Sequence, residues 1–527
     1  MSFLPASWPS SAEATSGARL FVNAVRLLRS PIDDSEFNTR IQQRFAHRDD
    51  SFLDLVREMV YASSTSPYRR LLRLAGCEYG DLERLVQRDG LEEALCELYR
   101  RGVYLTVDES KGRRPVVRGS SSFDLDPRQL RNPRLVPDFV AQTSGSRGAR
   151  AAVPMELQRL REDLVPRLEE DRYRVYAQWA APGTGAMQWP LRKVLRGQVA
   201  ERWFSLVDPV GSGLHAKYAW SARAVRWAGL LAGHRFPRPV YTPLSDPRPI
   251  VRWMAAVLQA GGQPTLSSSV SAAVRVCQAA GDSGIALRGA RFDISGEPAT
   301  PARIAAIQRA GATVRVAYAA TEPGTIGQGC LEPDVADEVH FLQDRLAVVQ
   351  PGQDGGPGLP PKALLMTSLL PRARLILINV STGDQSEVFK RDCGCPLQHV
   401  GWTTHMHTIR SFEKLTAGGM TFFDSDVIRV LDEVLPRRFG GGPADYQLVD
   451  DESDDGAPHV RLLVHPRLGL VDTEAVRQTF LDAIGGGTGV ERVMQLVWQE
   501  AGLPIVEHAS PFATLSGKIQ HLHLLPR

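Results

Sequence analysis

Val314-Arg315-Val316-Ala317-Tyr318-Ala319-Ala320-Thr321-Glu322-Pro323-Gly324 reads as a buried strand that runs straight into a turn. Residues 314–318 suit a strand inside an α/β layer, and Pro323-Gly324 breaks either regular periodicity. An aromatic ring at a strand end can stack on a base. Thr321 and Glu322, just beyond it, are placed to reach a phosphate and a magnesium ion. Outward from this stretch, residues 301–310 read as a helix and residues 375–380 as a second buried strand. Residues 350–361, dense in Gly and Pro, must be a loop.

The two flanks differ in kind. Residues 1 to 130 read as mostly helical: Phe52, Leu53, Leu55, Val56, Met59 and Val60 recur at helical spacing, as do Leu91, Leu95, Leu98 and Tyr99. Composition shifts again after Gly401. Two candidate strands, 446–450 and 460–465, are joined by the acidic segment 451–456, which reads as a solvated hairpin loop. A helix follows over 472–484, with Val476, Phe480 and Ile484 on one face and Asp472 as its N-cap. The expected architecture is therefore α/β. A large multilayer α/β N-terminal domain carries a helical N-terminal region and is followed by a small mobile α+β C-terminal domain. The divisions are 1–130 for the helical region packed on the large domain, 131–409 for the core and 410–527 for the small domain. No internal repeat is visible.

Composition excludes several classes. Of 527 residues, 43% are hydrophobic and 23% charged, enough apolar content for globular cores. Lys+Arg 62 against Asp+Glu 59 leaves +3, too little for a dedicated polyanion binder, so no nucleic-acid partner is expected. No apolar run approaches the ~18 residues of a membrane span. The first residues lack the basic start and apolar run of a secretory signal. Six cysteines are too few for a disulfide scaffold, and the chain reads as cytoplasmic and reducing.

Four more segments carry chemistry. Thr143-Ser144-Gly145-Ser146-Arg147-Gly148 alternates glycines with hydroxyl residues, leaving backbone N–H groups free to converge on phosphate oxygens; it lacks the ending of a Walker P-loop. Ile294-Ser295-Gly296-Glu297-Pro298 follows a short strand and precedes the helix near Pro301. Ser381-Thr382-Gly383-Asp384 follows the strand expected at 375–380, and a carboxylate there suits the two hydroxyls of a ribose. Thr514-Leu515-Ser516-Gly517-Lys518-Ile519 lies near the C-terminus. Each alone could be a turn.

In this order and spacing, the five motifs resemble the adenylate-forming superfamily of acyl-CoA synthetases, adenylation domains and luciferases, over roughly residues 130 to 520. The chain looks most like the phenylacetate-CoA ligase branch, whose early segment is similar to Ser66-Pro67-Tyr68-Arg69-Arg70-Leu71-Leu72. The resemblance implies a role for each match. Thr143, Ser144, Gly145, Ser146 and Gly148 would hold the β- and γ-phosphates of ATP. Gly296, Glu297 and Pro298 would line the adenine pocket and Tyr318 would stack on adenine. Thr321 would touch the α-phosphate, Glu322 would bind Mg²⁺ and Asp384 the ribose hydroxyls. Arg410 would precede the interdomain hinge, and Lys518 would reach the carboxylate and α-phosphate during adenylation. The acyl pocket would lie between a turn at Ser267-Ser268-Ser269, the 294–296 segment with Ser295, and Tyr318, Ala319 and Ala320.

The implied activity is that of an acid–thiol ligase. ATP activates a small carboxylic acid of aryl or arylacetic type to acyl-AMP with release of pyrophosphate. The acyl group then passes to CoA, to carrier-protein phosphopantetheine or to an amine. A stand-alone adenylation enzyme and a non-catalytic adenylate-binding homologue remain the alternatives, and the oligomeric state is left open, a dimer included. Arg147, Ala319 and the Phe412-Glu413 pair depart from the family's phosphate loop, tyrosine motif and hinge, while Gly419 matches the loop that meets pantetheine. Cys393-Gly394-Cys395 could grip a metal or be incidental. In the branch, the loop after the tyrosine motif and a later CxC can share a zinc. The resemblance thus implies a closed structural Zn²⁺ site of Cys330, His340, Cys393 and Cys395. His399, His405 and His407 are nearby competitors; the H-x-H pair is expected on a strand, both rings on one face, without metal.

Overall fold

The computed structural model describes residues 11–524 apart from 31, 143–151, 199, 209–215, 413–414, 418–419, 423, 453–457, 486–494, 497 and 515–516. The fold is built on one twelve-stranded sheet. From one edge to the other its strands are Leu346–Val349, Ala363–Ser368, Val380–Lys390, Thr404–Ser411, Val339–Phe341, Gly324–Gly329, Thr313–Ala320, Arg291–Ser295, Gln263–Ser269, Arg174–Ala180, Ala200–Ser205 and Pro239–Tyr241. Thr313–Ala320, the strand read from sequence, is where the sheet changes character. It pairs parallel with Arg291–Ser295, and every pair beyond that is parallel. On its other side it pairs antiparallel with Gly324–Gly329 through the turn after Ala320, with a register shift at Tyr318/Ala319.

Each half is covered by its own helices. Helices Arg248–Gln259, Val270–Asp282 and Pro301–Arg309 pack a core of Trp253, Met254, Val274, Ile304 and Ile307 onto Leu266, Phe292 and Ile294 of the parallel half. The N-terminal region is helical as expected, with seven α-helices described from Ser11 to Ser110. Phe52, Leu53, Leu55, Val56, Leu91, Leu95 and Leu98 form the inner faces of these helices against Ala347, Val349 and Leu365 of the antiparallel half.

Residues 375–380 correct the sequence reading. Leu375, Ile376, Leu377 and Ile378 are buried, but they cross irregularly under the N-terminal helices rather than forming a strand. Ile376 N donates to the carbonyl of Leu130 and Ser368 N to that of Leu377, so the backbone is satisfied without a ladder. Asn379 then turns the chain at φ 49 while its amide binds the carbonyls of Leu95 and Val103. Ser381, Thr382, Gly383 and Asp384 consequently lie within the strand Val380–Lys390, not after one.

A separate four-stranded sheet forms the small domain, in the order Ile505–His508, Pro458–Val464, Tyr446–Glu452, Leu522–Leu524. The helix Thr473–Ile484 covers it with Val476, Phe480 and Ile484. Asp472 caps that helix by accepting from the backbone N–H groups of Glu474 and Ala475. No described helix is long and apolar enough to cross a membrane.

Candidate functional site

Parallel strands expose their carboxyl ends together, and here those ends meet the small domain. Ser295 pairs with Ala317 in register, so Gly296 emerges beside Tyr318. Gly296 has φ +82, and a Cβ there would lie 3.1 Å from Lys518 Nζ and 3.0 Å from its Cε. Only glycine leaves room for that ammonium. Burial pulls the Lys518 ammonium below its usual range, and the charge of Glu297 partly offsets this. Among the described residues no hydrogen bond or ion pair occupies Nζ. The loop is held by Ser269 Oγ, which donates to the carbonyl of Gly517 at 3.3 Å, and by Lys518 N, which donates to Thr514 Oγ1 at 3.1 Å. Gly517, at φ +77, is so close to Leu206 that a Cβ would overlap it.

Tyr318 and Asp384, 66 residues apart, are brought together: the phenol donates to Asp384 Oδ2 at 2.7 Å and lies 3.5 Å from Thr382 Oγ1. Burial, reinforced by the Asp384 charge, pushes the phenol well above its usual range, so it stays a donor. Thr321 and Glu322 follow in the turn, whose backbone is fixed by Arg374 donating to the carbonyl of Thr321 at 3.2 Å. The Glu322 carboxylate has no partner among the described residues and is available to a cation.

Glu297 is committed elsewhere. Its carboxylate accepts from Ser271 N at 2.7 Å and from Ser271 Oγ at 2.8 and 2.9 Å, while Ile519 N donates to the same hydroxyl at 3.0 Å. Arg410 sits in the strand Thr404–Ser411 and pairs with Asp337 Oδ2 at 3.1 Å. Ser267, Ser268 and Ser269 are not a turn but the end of the strand Gln263–Ser269, with Ser269 capping the helix that follows. They are half-buried, whereas Ser295 and Ala319 are exposed and Ala320 half-buried, giving an open cleft beside Gly296. The loop with Thr143, Ser144, Gly145, Ser146 and Gly148 lies outside the described residues; the antiparallel strands Phe139–Gln142 and Ala152–Met155 bracket it. Gly419 also lies outside them.

Sequence reasoning missed the network that seats the small domain. Arg303 of the large domain lies 3.2 Å from Asp432 Oδ2 and 3.0 Å from His521 Nε2; His521 Nε2 is also 3.0 Å from Asp432 Oδ1. Thr300 Oγ1 donates to Asp432 at 2.8 Å. No motif marks these residues, because only docking of the two domains makes them neighbours.

The metal-ligand set does assemble. One donor atom from each of Cys330, His340, Cys393 and Cys395 lies within 4.8 Å of all the others. His340 Nε2 is 3.1 Å from Cys395 Sγ and 3.7 Å from Cys393 Sγ. His340 Nδ1 lies 2.7 Å from the carbonyl of Trp402; donating there leaves Nε2 as the ligand nitrogen. The bond with Cys330, and then that with His340, pulls the Cys395 thiol down, while the same bond pushes the Cys330 thiol up and burial raises that of Cys393. Three sulfurs and one imidazole, three of the four buried, are a donor set that suits a tetrahedral zinc ion. His405 and His407 lie on the strand Thr404–Ser411 and both pack on Phe389, hence on one face. His405 also contacts the His340 ring and Glu338, and with Cys330 and Glu338 makes a second possible ligand group that spacing did not suggest.

No protein-family model matches the chain, and no curated protein matches it. Solved structures of similar shape exist. The ATP-bound chimera RpMatB-BxBclM B1 is 13% identical, with 76% of this chain and 68% of that chain covered and a TM-score of 0.41. The anthranilate CoA ligase AuaEII in complex with anthranoyl-AMP is 12% identical, with 72% and 65% covered and a TM-score of 0.40. The amide bond synthetase McbA from Marinactinospora thermotolerans is 12% identical, with 95% and 98% covered and a TM-score of 0.39. This chain thus spans less than two thirds of the anthranilate ligase. Likeness at this level assigns no activity, which must be argued from the site.

Proposed function

We propose that the chain is an adenylate-forming ligase of the phenylacetate-CoA ligase type. The observation that carries this reading is the seat of Lys518: a half-buried ammonium, without a hydrogen bond or ion pair among the described residues, delivered by the small domain onto Gly296, which emerges beside Tyr318 with its neighbours Asp384 and Glu322. In the proposed reaction an oxygen of the substrate carboxylate attacks the α-phosphorus of ATP. The bond to the bridging oxygen breaks and pyrophosphate leaves with the electron pair. Charge neutralisation and alignment supply most of such catalysis. Lys518 meets the charge that builds on the α-phosphate and bridging oxygens. Tyr318 offers its ring to adenine while its hydroxyl orients Asp384 toward the ribose, and Thr321 stands at the α-phosphate. Glu322 would hold Mg²⁺, which neutralises phosphate charge when bound, and residues 143–148 would cradle the β- and γ-phosphates.

The substrate in this reading is a small aryl or arylacetic acid, and the acceptor is CoA, a carrier-protein phosphopantetheine or an amine. Cys330, His340, Cys393 and Cys395 would hold a structural Zn²⁺ that ties the loop after Gly329 to the segment leading into Trp402. Acid-dependent exchange of labelled pyrophosphate into ATP tests the reading directly. Exchange is expected with at least one aromatic acid; silence across a broad panel favours a non-catalytic adenylate-binding protein.

A further inference from the structure

Lys193 is 8% exposed, yet its Nζ makes no hydrogen bond or ion pair among the described residues. It projects from the helix Thr184–Leu195 to lie 3.7 Å over the Tyr176 ring and 5.7 Å from the Trp189 ring centroid. Burial pushes the amine down to about 7, with Asp293 opposing the fall. Leaving an amine buried without a partner is costly, and two aromatic faces compensate only in part. Such a group is poised for a ligand.

Its surroundings lead to the acyl cleft. One turn earlier on the same helix, Trp189 donates its indole N–H to Ser267 Oγ at 2.9 Å. Ser267 pairs in register with Asp293, and Ser269 with Ser295. Leu266, Phe292 and Ile294 occupy the opposite core, so strand alternation turns Ser267, Ser269, Asp293 and Ser295 to the cleft face. The Asp293 side chain is 25% exposed, with its Oδ1 buried 3.0 Å from Arg291 Nε. Among the described residues no carboxylate lies within ion-pair distance of Lys193. From the Ser269–Ser295 row beside Gly296 to the Ser267–Asp293 row is two residues, about 7 Å along the strands. That matches the span of one aromatic ring.

We infer that Lys193 and Asp293 form the far wall of the acyl pocket and select an aromatic acid carrying a ring hydroxyl, which accepts from Lys193 and donates to Asp293. This rests on the adenylation reading of the same site. A second carboxylate on the substrate would satisfy Lys193 but meet the charge of Asp293; an unsubstituted ring would leave the Lys193 amine without a hydrogen-bond acceptor.

The test compares 3- and 4-hydroxybenzoate with benzoate and terephthalate. Pyrophosphate exchange and calorimetric binding without ATP are measured for the wild type, Lys193→Met and Asp293→Asn. A hydrogen bond to a charged group should favour one of the hydroxy acids at least about tenfold in kcat/KM. In either variant that ratio should fall to within about twofold, with the fold checked by circular dichroism. No preference, a preference for terephthalate, or a hydroxyl preference that survives both substitutions overturns the inference while leaving adenylation standing. Binding of a hydroxybenzoate that depends on Lys193, without exchange for any acid, upholds the pocket and overturns adenylation. Neither binding nor exchange overturns both.

Discussion

Arg303 and Asp432 form an ion pair across the two domains, Nε to Oδ2 3.2 Å, with both side chains only 1% exposed. A charge pair so deeply buried is weak evidence for net stability, but breaking it strands the remaining charge at a cost of about 3–5 kcal/mol. Its place beside Ile519 and His521 makes it a latch for the pose in which Lys518 reaches Gly296.

Asp432→Asn should therefore weaken docking of the small domain. Acid-dependent exchange is expected to fall with little change in secondary structure, and protease cleavage between the domains should accelerate. Burial raises the Asp432 pKa, but Arg303 and His521 more than offset this and hold the carboxyl far below its usual range. A depressed carboxylate contributes stability above its unfolded pKa of about 3.9 and loses it as pH falls further. Docking should thus be insensitive to Asp432 from pH 5 upward and weaken only in stronger acid. Wild-type exchange and protease resistance in the variant would remove the latch.

Lys518→Ala should lower pyrophosphate exchange by about 10²–10³, the usual loss when one donor to transition-state charge is removed. ATP affinity should change little, since the contact forms mainly in the transition state. Acyl transfer from supplied acyl-AMP should persist. Wild-type rates in both half-reactions would place Lys518 outside the chemistry, and equal losses in both would signal misfolding instead.

Tyr318→Phe keeps the ring and removes the donor to Asp384. The KM for ATP is expected to rise about tenfold, in line with the loss of a hydrogen bond to a charged group, with kcat nearly constant. An unchanged KM would show that Asp384 needs no help in facing the ribose.

Purified protein should carry about one zinc per chain if the four donors, which lie close enough to share one ion, form the proposed site. Cys393→Ser should lower both metal content and melting temperature, with activity lost only as the fold is lost. A metal-free preparation of full stability would contradict this.

Local pattern was enough to identify some elements. The strand at 314–318 and the helix capped by Asp472 depend on neighbours within a few residues, and periodicity and capping report these directly. The motifs around Gly296, Tyr318, Asp384 and Lys518 were legible in the same way, as short runs with chemically telling side chains. Tertiary structure decided the rest. Residues 375–379 are as apolar as a strand, but their backbone groups bond to Leu130 and Ser368 rather than to a ladder. Whether Lys518 meets Gly296, whether Cys330 meets Cys395, and whether Arg303 meets Asp432 depends on sheet register and domain docking across tens to hundreds of residues. Lys193 shows the limit most plainly: in sequence it is one lysine on a helix, and only the packing of that helix on the sheet buries its amine over the Tyr176 ring, without a hydrogen bond or ion pair among the described residues.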